Sequence, residues 1–245
     1  MIVITADQRS STTRGDLVPA VLDRVGARVT GSEVGAGLVL AFDRTVGDEV
    51  QGVLDASDEG ATLAVEVLAE LLRDGGWAVG VGVGAVDQPL ATSSRAASGR
   101  AFVRARAAVE EAKRRGSAVP LAVRGGDQEP SATIVADAQA LLRLVGVVVA
   151  RRSAPGWEAV DTLALHEGDD APQRATARAL GVSEQAVSQR LRSASWSEEL
   201  AARPLAARLL RAADAATTAD DEHDRQDGED APEVPGAHDE ESGDA

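Results

Sequence analysis

Short apolar runs and amphipathic stretches alternate along the first half of the chain. Residues 2–6 form a β-branched apolar run that ends at Asp7, which predicts a buried strand. Apolar residues recur at helical spacing over 17–25 and 58–73, and 99–115 is also typical of a helix, so these three stretches predict helices. Further strands are predicted at 38–44, 49–54, 77–86 and 118–123.

The order of these elements predicts an α+β fold. A strand, a helix, a β-hairpin and then alternating helices and strands indicate a ferredoxin-like layer with a mixed sheet. We place this domain at residues 1–125, because Gly125 and Gly126 form a glycine pair in a polar stretch. Residues 131–151 then form one long apolar helix, and the chain stays helical to about residue 215. We therefore predict an all-α domain over 126–213.

The clearest local motif lies at residues 173–192, QRATARALGVSEQAVSQRLR. Two short helical segments flank Gly181-Val182-Ser183, and Ser183 is placed to cap the second segment. Val187 and Leu191 stand four apart and give that second helix an apolar face. This is the helix-turn-helix pattern, in which the second helix enters the major groove of DNA.

The outward positions of the second helix are the candidate DNA contacts. They are Ser183, Gln185, Ser188, Gln189 and Arg192. Such side chains suit base edges and phosphates, so double-stranded DNA is the predicted partner. One basic helix gives only modest affinity for DNA, and such proteins usually gain affinity by binding as homodimers. The sequence contains no heptad repeat that would identify a dimer interface. The alternatives are an αα-hairpin that only packs within its domain, or one that binds another protein chain.

The charge distribution leaves room for DNA binding. The formal net charge is −15, but residues 214–245 hold 13 acidic residues against one Arg. Residues 1–213 hold 24 Lys and Arg against 27 Asp and Glu, which is close to balance. Because residues 214–245 contain almost no large apolar side chain, we predict a disordered acidic tail there.

The composition excludes several classes of protein. Cys is absent, which excludes disulfides, thiolate metal sites and thiol enzymes. The opening apolar run, residues 1–6, is too short for a signal peptide or a membrane span. We therefore expect a cytoplasmic protein without a membrane partner.

Two carboxylates stand out as candidate ligands. Asp7 ends the first strand, and Asp48 lies in the Gly-Asp turn of the predicted hairpin. If that strand lies beside the hairpin, the two carboxylates converge at one rim of the sheet. Hard oxygen ligands suit Mg²⁺ or Mn²⁺ held together with nucleotide phosphates. The alternative is a strand-ending Asp and an ordinary turn, and the spacing alone leaves both open.

Four segments resemble the catalytic core of class III nucleotidyl cyclases, in the order of that family. They are VITAD at 3–7, AFDRTVGDEVQG at 41–52, WAVGVGVGAV at 77–86 and GRAFVRARAAVEEAK at 99–113. The resemblance implies that Asp7 and Asp48 hold Mg²⁺ or Mn²⁺. It also implies that Arg44, four residues before Asp48, contacts a nucleotide base.

The helix after the glycine-rich strand departs from the cyclase pattern. In cyclases this helix supplies an Asn and an Arg that stabilise the transferring phosphate, but Val103 and Ala107 stand at those positions. Arg104 and Arg106 are close by but displaced, and with Arg44 they are the candidate nucleotide-binding residues. A catalytic electrostatic contribution is therefore missing or supplied differently. The resemblance favours nucleotide or metal binding over catalysis.

A closer resemblance covers the chain to about residue 203. ADQRSS, the FDRTVGDEVQG core, the 99–113 helix, ARRSAPGWE and LGVSEQAVSQRLR together resemble the SatD family. Proteins of that family are often described as MarR-like or DNA-binding regulators of actinobacteria. The sequence thus predicts a DNA-binding, transcriptional regulator whose degenerate cyclase-like domain senses a nucleotide or a divalent metal. The alternative is an active Mg²⁺- or Mn²⁺-dependent nucleotidyl cyclase or phosphotransferase that carries a helix-turn-helix.

Overall fold

The computed structural model describes residues 1–30, 33–73, 75–114, 116 and 118–229. The strands are β1 Ile2–Gln8, β2 Leu38–Arg44, β3 Glu49–Leu54, β4 Trp77–Val83 and β5 Leu121–Arg124. The helices are α1 Ser11–Arg14, α2 Val18–Thr30, α3 Asp58–Leu72, α4 Arg100–Ala112, α5 Ser131–Arg151, α6 Ala154–Ala164, α7 Pro172–Leu180, α8 Glu184–Ser193 and α9 Trp196–Glu229, with a 3₁₀ turn at Glu33–Gly37.

The five strands form one mixed sheet in the order β2-β3-β1-β4-β5. All neighbours are antiparallel except β4 and β5, which are parallel and joined by α4. The fold is therefore α+β with a mixed sheet, as predicted. The central strand β1 pairs Ile2 with Leu54 and Asp7 with Glu49 across β3. Its β-branched residues are buried on both faces of the sheet, which is why this run forms a strand.

Alternating side chains of β1 enter two separate cores. Ile2, Ile4 and Ala6 face the larger core, which also contains the apolar side of α3. Val3 faces the opposite way, into a smaller core with Ala101 and Ala105 of α4. The sheet is thus covered by helices on both sides.

Helix α4 approaches the sheet closely because β4 carries glycines on that face. A Cβ atom on Gly82 would lie 2.1 Å from the carbonyl oxygen of Ala101, and one on Gly80 would lie 2.3 Å from the amide nitrogen of Val109. No L side chain fits at either position without moving the helix. The alternation of glycine in β4 therefore serves helix packing.

The helices after residue 130 pack back onto the first part of the chain. Helix α5 contacts α9, β5 and α3, and α9 contacts α3 and the edge of β4. The predicted domain boundary at Gly125 and Gly126 lies in the loop between β5 and α5. Even there the amide of Gly126 donates a hydrogen bond to Thr217 Oγ1, at 2.8 Å.

The first part of the predicted acidic tail is helical. Residues 214–229 continue helix α9, so the predicted boundary at Asp214 is too early. Asp214 accepts hydrogen bonds from the amino terminus of Met1 at 2.6 Å and from the amide of Gly84 at 2.9 Å. This part of the tail is ordered because its carboxylates have cationic and amide partners in the first domain. The predicted tail residues 230–245 lie outside the described residues.

A buried ion pair joins the ends of the long helices. Arg152 follows α5 and pairs with Glu199 of α9, and both side chains are fully buried. The Arg152 guanidinium lies over the rings of Trp157 and Trp196, 4.4 and 5.4 Å from their centroids. It also donates to the carbonyl oxygen of Ala194, just after α8. These contacts attach α6 and α8 to the body of the protein.

One helix of the described residues, α5, is long and apolar enough to cross a membrane by length and composition. One face of it contributes Val135, Leu142, Val145 and Val149 to the larger core. A core helix meets the same criteria as a membrane span.

We expect Gly82→Ala to destabilise the protein by at least about 2 kcal/mol, because the new methyl group would meet the backbone of α4. Gly26→Ala is the matched control, since Gly26 is an exposed position in the interior of α2 and a Cβ there meets no atom within 4 Å. That control should stabilise the protein by up to about 1 kcal/mol. Urea denaturation followed by circular dichroism measures both changes, and a neutral Gly82→Ala would contradict the packing argument.

Candidate functional site

Helices α7 and α8 are joined by a tightly defined three-residue turn. Gly181 ends α7 in the left-handed conformation, with φ 64°, which glycine adopts without strain. The amide of Val182 donates to the carbonyl oxygen of Ala177 at 3.0 Å. The hydroxyl of Ser183 accepts from the amide of Ala186 at 3.1 Å, so the predicted cap of α8 is confirmed. Local hydrogen bonds therefore determine where α7 stops and α8 begins.

The inner faces of these helices pack together with α6. Val187 and Leu191 of α8 are buried, as are Ala175 and Ala177 of α7. Helices α6, α7 and α8 contact one another pairwise. Because the apolar face of α8 is turned inward, its polar face is left at the surface.

The five predicted DNA contacts lie together on that surface. Gln185, Gln189 and Arg192 are exposed and follow one another at helical spacing, and Ser183 is exposed at the start of the helix. Ser188 is half-buried, and its hydroxyl donates to Gln173 Oε1 at 3.1 Å. Arg192 donates to Gln189 Oε1 at 2.7 Å. Gln185, Gln189 and Arg192 thus lie on one exposed face of α8, with Ser188 beside them and Ser183 at the N-cap of the helix.

The same surface is basic. Arg174 of α7 pairs with Glu184 at 3.0 Å, which neutralises the acidic residue in the first turn of α8. Arg190 pairs with Glu158 of α6 at 2.7 Å. Arg178 and Arg192 are exposed and have no ion pair to any residue within the described ranges. Two arginines of helices α7 and α8, Arg178 and Arg192, are therefore available to bind phosphate or base edges.

A second cluster of charged groups lies at the rim of the sheet, where β1 ends. Asp7 pairs with Lys113 at 2.9 Å, and Lys113 also contacts Glu110 at 2.9 Å. Glu49, directly across from Asp7 in β3, pairs with Arg106. Burial disfavours the charged form of Lys113, but its hydrogen bonds to Glu110 and Asp7 outweigh that effect and raise the pKa of its ammonium group.

Asp48 lies beside this rim but in different surroundings. The amide of Gln8 donates to the carbonyl oxygen of Asp48 at 3.1 Å, so the hairpin turn does lie next to the end of β1. Asp48 lines a cavity of about 420 Å³ together with Asp16 and Arg44. Arg44 donates to Asp16 at 2.5 Å and to the carbonyl oxygen of Gly47 at 3.0 Å. The hydrogen bond from Arg44 lowers the pKa of the Asp16 carboxyl.

The donor set at the rim supplies only part of the ligands that a metal ion takes. Among the described residues, no group of three or more His, Asp or Glu side chains is arranged to hold a metal. One oxygen of Asp7 is engaged by the ammonium of Lys113. Mg²⁺ is usually bound through one or two carboxylates together with waters and phosphate oxygens, so Asp7 and Asp48 would hold it only together with such further ligands.

Arg104 lies apart from the other predicted nucleotide-binding residues. Its guanidinium makes two hydrogen bonds of 2.8 Å to the buried carboxylate of Asp221 in α9 and one to the carbonyl oxygen of Val83. Arg100 joins the same carboxylate at 2.7 Å. Of the predicted nucleotide-binding residues, the structure places Arg44 next to Asp48 and Arg106 against Glu49, across from Asp7, but it places Arg104 against the end of α9.

Glu49, Lys113 and Asp221 are among the residues of these clusters that sequence reasoning missed. Glu49 carried a usable signal, because it is the first residue of β3 and shares a sheet face with Asp7 when the two strands pair. The contacts of Lys113 with Asp7 and of Asp221 with Arg104 carried none, since each joins residues more than 100 positions apart in the chain.

No protein-family model matches the chain, and no curated protein or solved structure matches it either. The resemblances to class III cyclases and to the SatD family rest on the quoted motifs. The functional argument therefore depends on the geometry of this chain.

We expect Asp221→Asn to lower the free energy of unfolding at neutral pH by about 1–3 kcal/mol, the usual worth of hydrogen bonds to a charged group. Burial alone would raise the pKa of the Asp221 carboxyl, but hydrogen bonds from Arg104 and Arg100 lower it below 3.8. A carboxylate whose folded-state pKa is lowered stabilises the protein above its ordinary pKa and loses that effect as the pH falls through the lowered value.

The difference between the wild type and Asp221→Asn should therefore be constant near neutral pH and shrink below about pH 4. Urea denaturation at a series of pH values measures it. Glu222→Gln, an exposed neighbour in α9, is the control and should leave stability nearly unchanged. A difference that grows on acidification would contradict the assignment.

Proposed function

We propose that α6, α7 and α8 form a helix-turn-helix unit and that the protein is a sequence-specific DNA-binding regulator of the cytoplasm. The observation that carries this proposal is the polar face of α8, on which Ser183, Gln185, Gln189 and Arg192 lie exposed while Val187 and Leu191 are buried. Because every surface helix has a polar side, the proposal depends on which residue types this face carries. Its residue types are those that bind base edges.

The start of α8 would approach the DNA backbone first. Amide groups at a helix N-terminus and the hydroxyl of Ser183 suit a phosphate oxygen. Glu184 would repel phosphate, and its ion pair with Arg174 removes much of that repulsion. Arg178 is placed to add a phosphate contact, because it is exposed near the end of α7.

Base recognition would fall to the middle and end of α8. Glutamine forms paired hydrogen bonds with adenine, and arginine forms them with guanine. The hydrogen bond between Arg192 and Gln189 orients both side chains before DNA is bound. Preorganisation of this kind lowers the entropy lost on binding.

We propose a ferredoxin-like, cyclase-related layer for residues 1–125. The order β2-β3-β1-β4 with antiparallel neighbours is the order expected of such a layer and supports the resemblance to class III cyclases. The cavity beside Arg44 and Asp48 would then take a nucleotide, as the resemblance implies. A divalent ion could enter it only with oxygen ligands from that nucleotide.

An active cyclase or phosphotransferase is the second candidate. The hydrogen bond between Gln8 and Asp48 favours it, because that bond places the end of β1 and the hairpin turn side by side. Against it stand Val103, which is exposed and offers no donor, and Ala107 at the positions of the two phosphate-stabilising residues. Lys113 also engages Asp7. These observations support a binding role over catalysis.

For DNA binding, we expect a duplex selected from a randomised library on the purified protein to lose its gel shift with Gln189→Ala or Arg192→Ala. Each change removes a base contact worth about 1–3 kcal/mol of discrimination, which is about a ten- to hundredfold loss of affinity. Arg95→Ala removes an equally exposed arginine from the loop before α4 and is the matched control.

The variants should keep most of their weak binding to unrelated DNA, because phosphate contacts dominate that binding. Unchanged selection and affinity in both variants would leave α7 and α8 as a packing or protein-binding element. Failure to enrich any duplex at low salt would overturn the proposal directly.

For catalysis, we expect no product when the protein is incubated with mixed nucleoside triphosphates and Mn²⁺ and the mixture is separated by chromatography. The physical reason is the absence of donors at Val103 and Ala107, which in cyclases neutralise the charge of the transferring phosphate. An Asp7→Asn/Asp48→Asn double variant is assayed in parallel. Product that forms with the wild type and disappears in the double variant would make the protein an enzyme and place the second candidate first.

A further inference from the structure

Helix α5 carries an apolar stripe centred on Leu144, and two of its residues, Leu141 and Val147, also pack against the edge of the larger core. Leu144 is 62% exposed at the middle of the helix. Around it lie further small or branched apolar side chains that are exposed or half-buried, namely Ala140, Leu141, Val147 and Val148. We call these five residues the α5 stripe. Ala140 and Leu144 are its exposed members, and the three half-buried residues extend it into a candidate interaction surface.

The charges at the two ends of the stripe are of opposite sign. Asp137 lies seven residues before Leu144, and Arg151 lies seven residues after it, so all three point in nearly the same direction from the helix axis. The two charged residues are separated by about 21 Å along the helix, from a rise of 1.5 Å per residue. Both are exposed, and neither has an ion-pair partner within the described part of the chain.

We propose that the α5 stripe is the interface of a homodimer in which two copies of α5 pack antiparallel around a two-fold axis at Leu144. This register places Leu144 against Leu144 of the second copy and Leu141 against Val147. The same register places Asp137 of each copy against Arg151 of the other, on both sides of the axis. The surface is therefore complementary to itself, which is the requirement of a two-fold interface.

A parallel pairing of the two α5 helices gives Asp137 and Arg151 no oppositely charged partner. It would place Asp137 beside Asp137 and Arg151 beside Arg151, and like charges at close range disfavour association. The antiparallel register converts the same four charges into two ion pairs at the rim of an apolar centre. Such a layout, with an apolar core and a polar rim, is typical of protein interfaces.

A second copy also fits better than the other candidate occupants. Residues 230–245 hold six acidic residues and only one large apolar residue, Val234, so they offer little to an apolar stripe. A helix that crosses a bilayer is surrounded by lipid, but the opposite face of α5 is packed against α9, β5 and α3, which leaves only binding to a membrane surface for the vesicle test below. The proposal does not depend on DNA binding, and its test contains no DNA.

The test is the mass of the full-length protein in solution, measured by analytical ultracentrifugation over a wide range of concentrations. The wild type should form a dimer, and Leu144→Glu should be monomeric, because it places two carboxylates together at the two-fold axis. Val103→Glu alters an equally exposed apolar residue on α4 and is the matched control, which should remain dimeric. Circular dichroism checks that each variant is folded.

Charge reversal tests the antiparallel register. Asp137→Arg alone and Arg151→Glu alone should each raise the dimer dissociation constant about tenfold or more, since each creates two like-charge contacts. The double variant should recover wild-type affinity, because it restores both ion pairs with the signs exchanged. A parallel pair predicts no such recovery.

A wild type that stays monomeric at every concentration would overturn the proposal, as would a dimer that Leu144→Glu leaves intact. A dimer lost in Leu144→Glu but not recovered in the double variant would overturn the antiparallel register. A monomeric wild type that sediments with phosphatidylcholine vesicles, and loses that property in Leu144→Glu, would identify lipid as the occupant and overturn the dimer.

Discussion

The position of helix α8 depends on the buried ion pair between Arg152 and Glu199. Two charges removed from water are strongly unfavourable unless they are paired and hydrogen-bonded, so this pair forms only when α5, α8 and α9 meet in one arrangement. Trp157 and Trp196 cover the guanidinium, and the carbonyl oxygen of Ala194 accepts from it. The ends of three helices are thereby tied to one point. A helix whose side chains contact base edges must be held rigidly, and these contacts would hold α8 in that way.

Ion pairs with carboxylates of the same chain also give several other arginines a structural role. Arg104 and Arg106 look like ligand-binding residues in the sequence, but Asp221 and Glu49 already hold them. Arg104 would have to leave the buried carboxylate of Asp221 to bind a nucleotide, whereas the pair of the exposed Arg106 is weaker. Arg178 and Arg192, on the exposed side of α7 and α8, have no such partner among the described residues, which is the basis for proposing DNA as a ligand.

A dimer formed through the α5 stripe would also hold two copies of helices α6, α7 and α8 in a defined relation. Helix α6 follows α5 after a short connection, so a two-fold axis through α5 would also relate the two copies of α8. Most helix-turn-helix proteins bind as dimers to two half-sites of similar sequence, because one recognition helix contacts too few bases and phosphates for tight binding. A dimer formed through the α5 stripe would thus bind DNA more tightly than one helix-turn-helix unit does.

The sequence by itself determined the elements and their local ends. Strand β1, helix α3 and the cap at Ser183 follow from periodicity and from hydrogen bonds between residues a few positions apart, so neighbouring residues suffice to predict them. Tertiary structure alone decided that residues 214–229 are helical, that Lys113 pairs with Asp7, and which face of α5 is free. Those outcomes depend on residues far apart in the chain: Asp214 is held by Met1, and α5 is apolar on nearly all sides, so its pattern cannot show which side the core will cover.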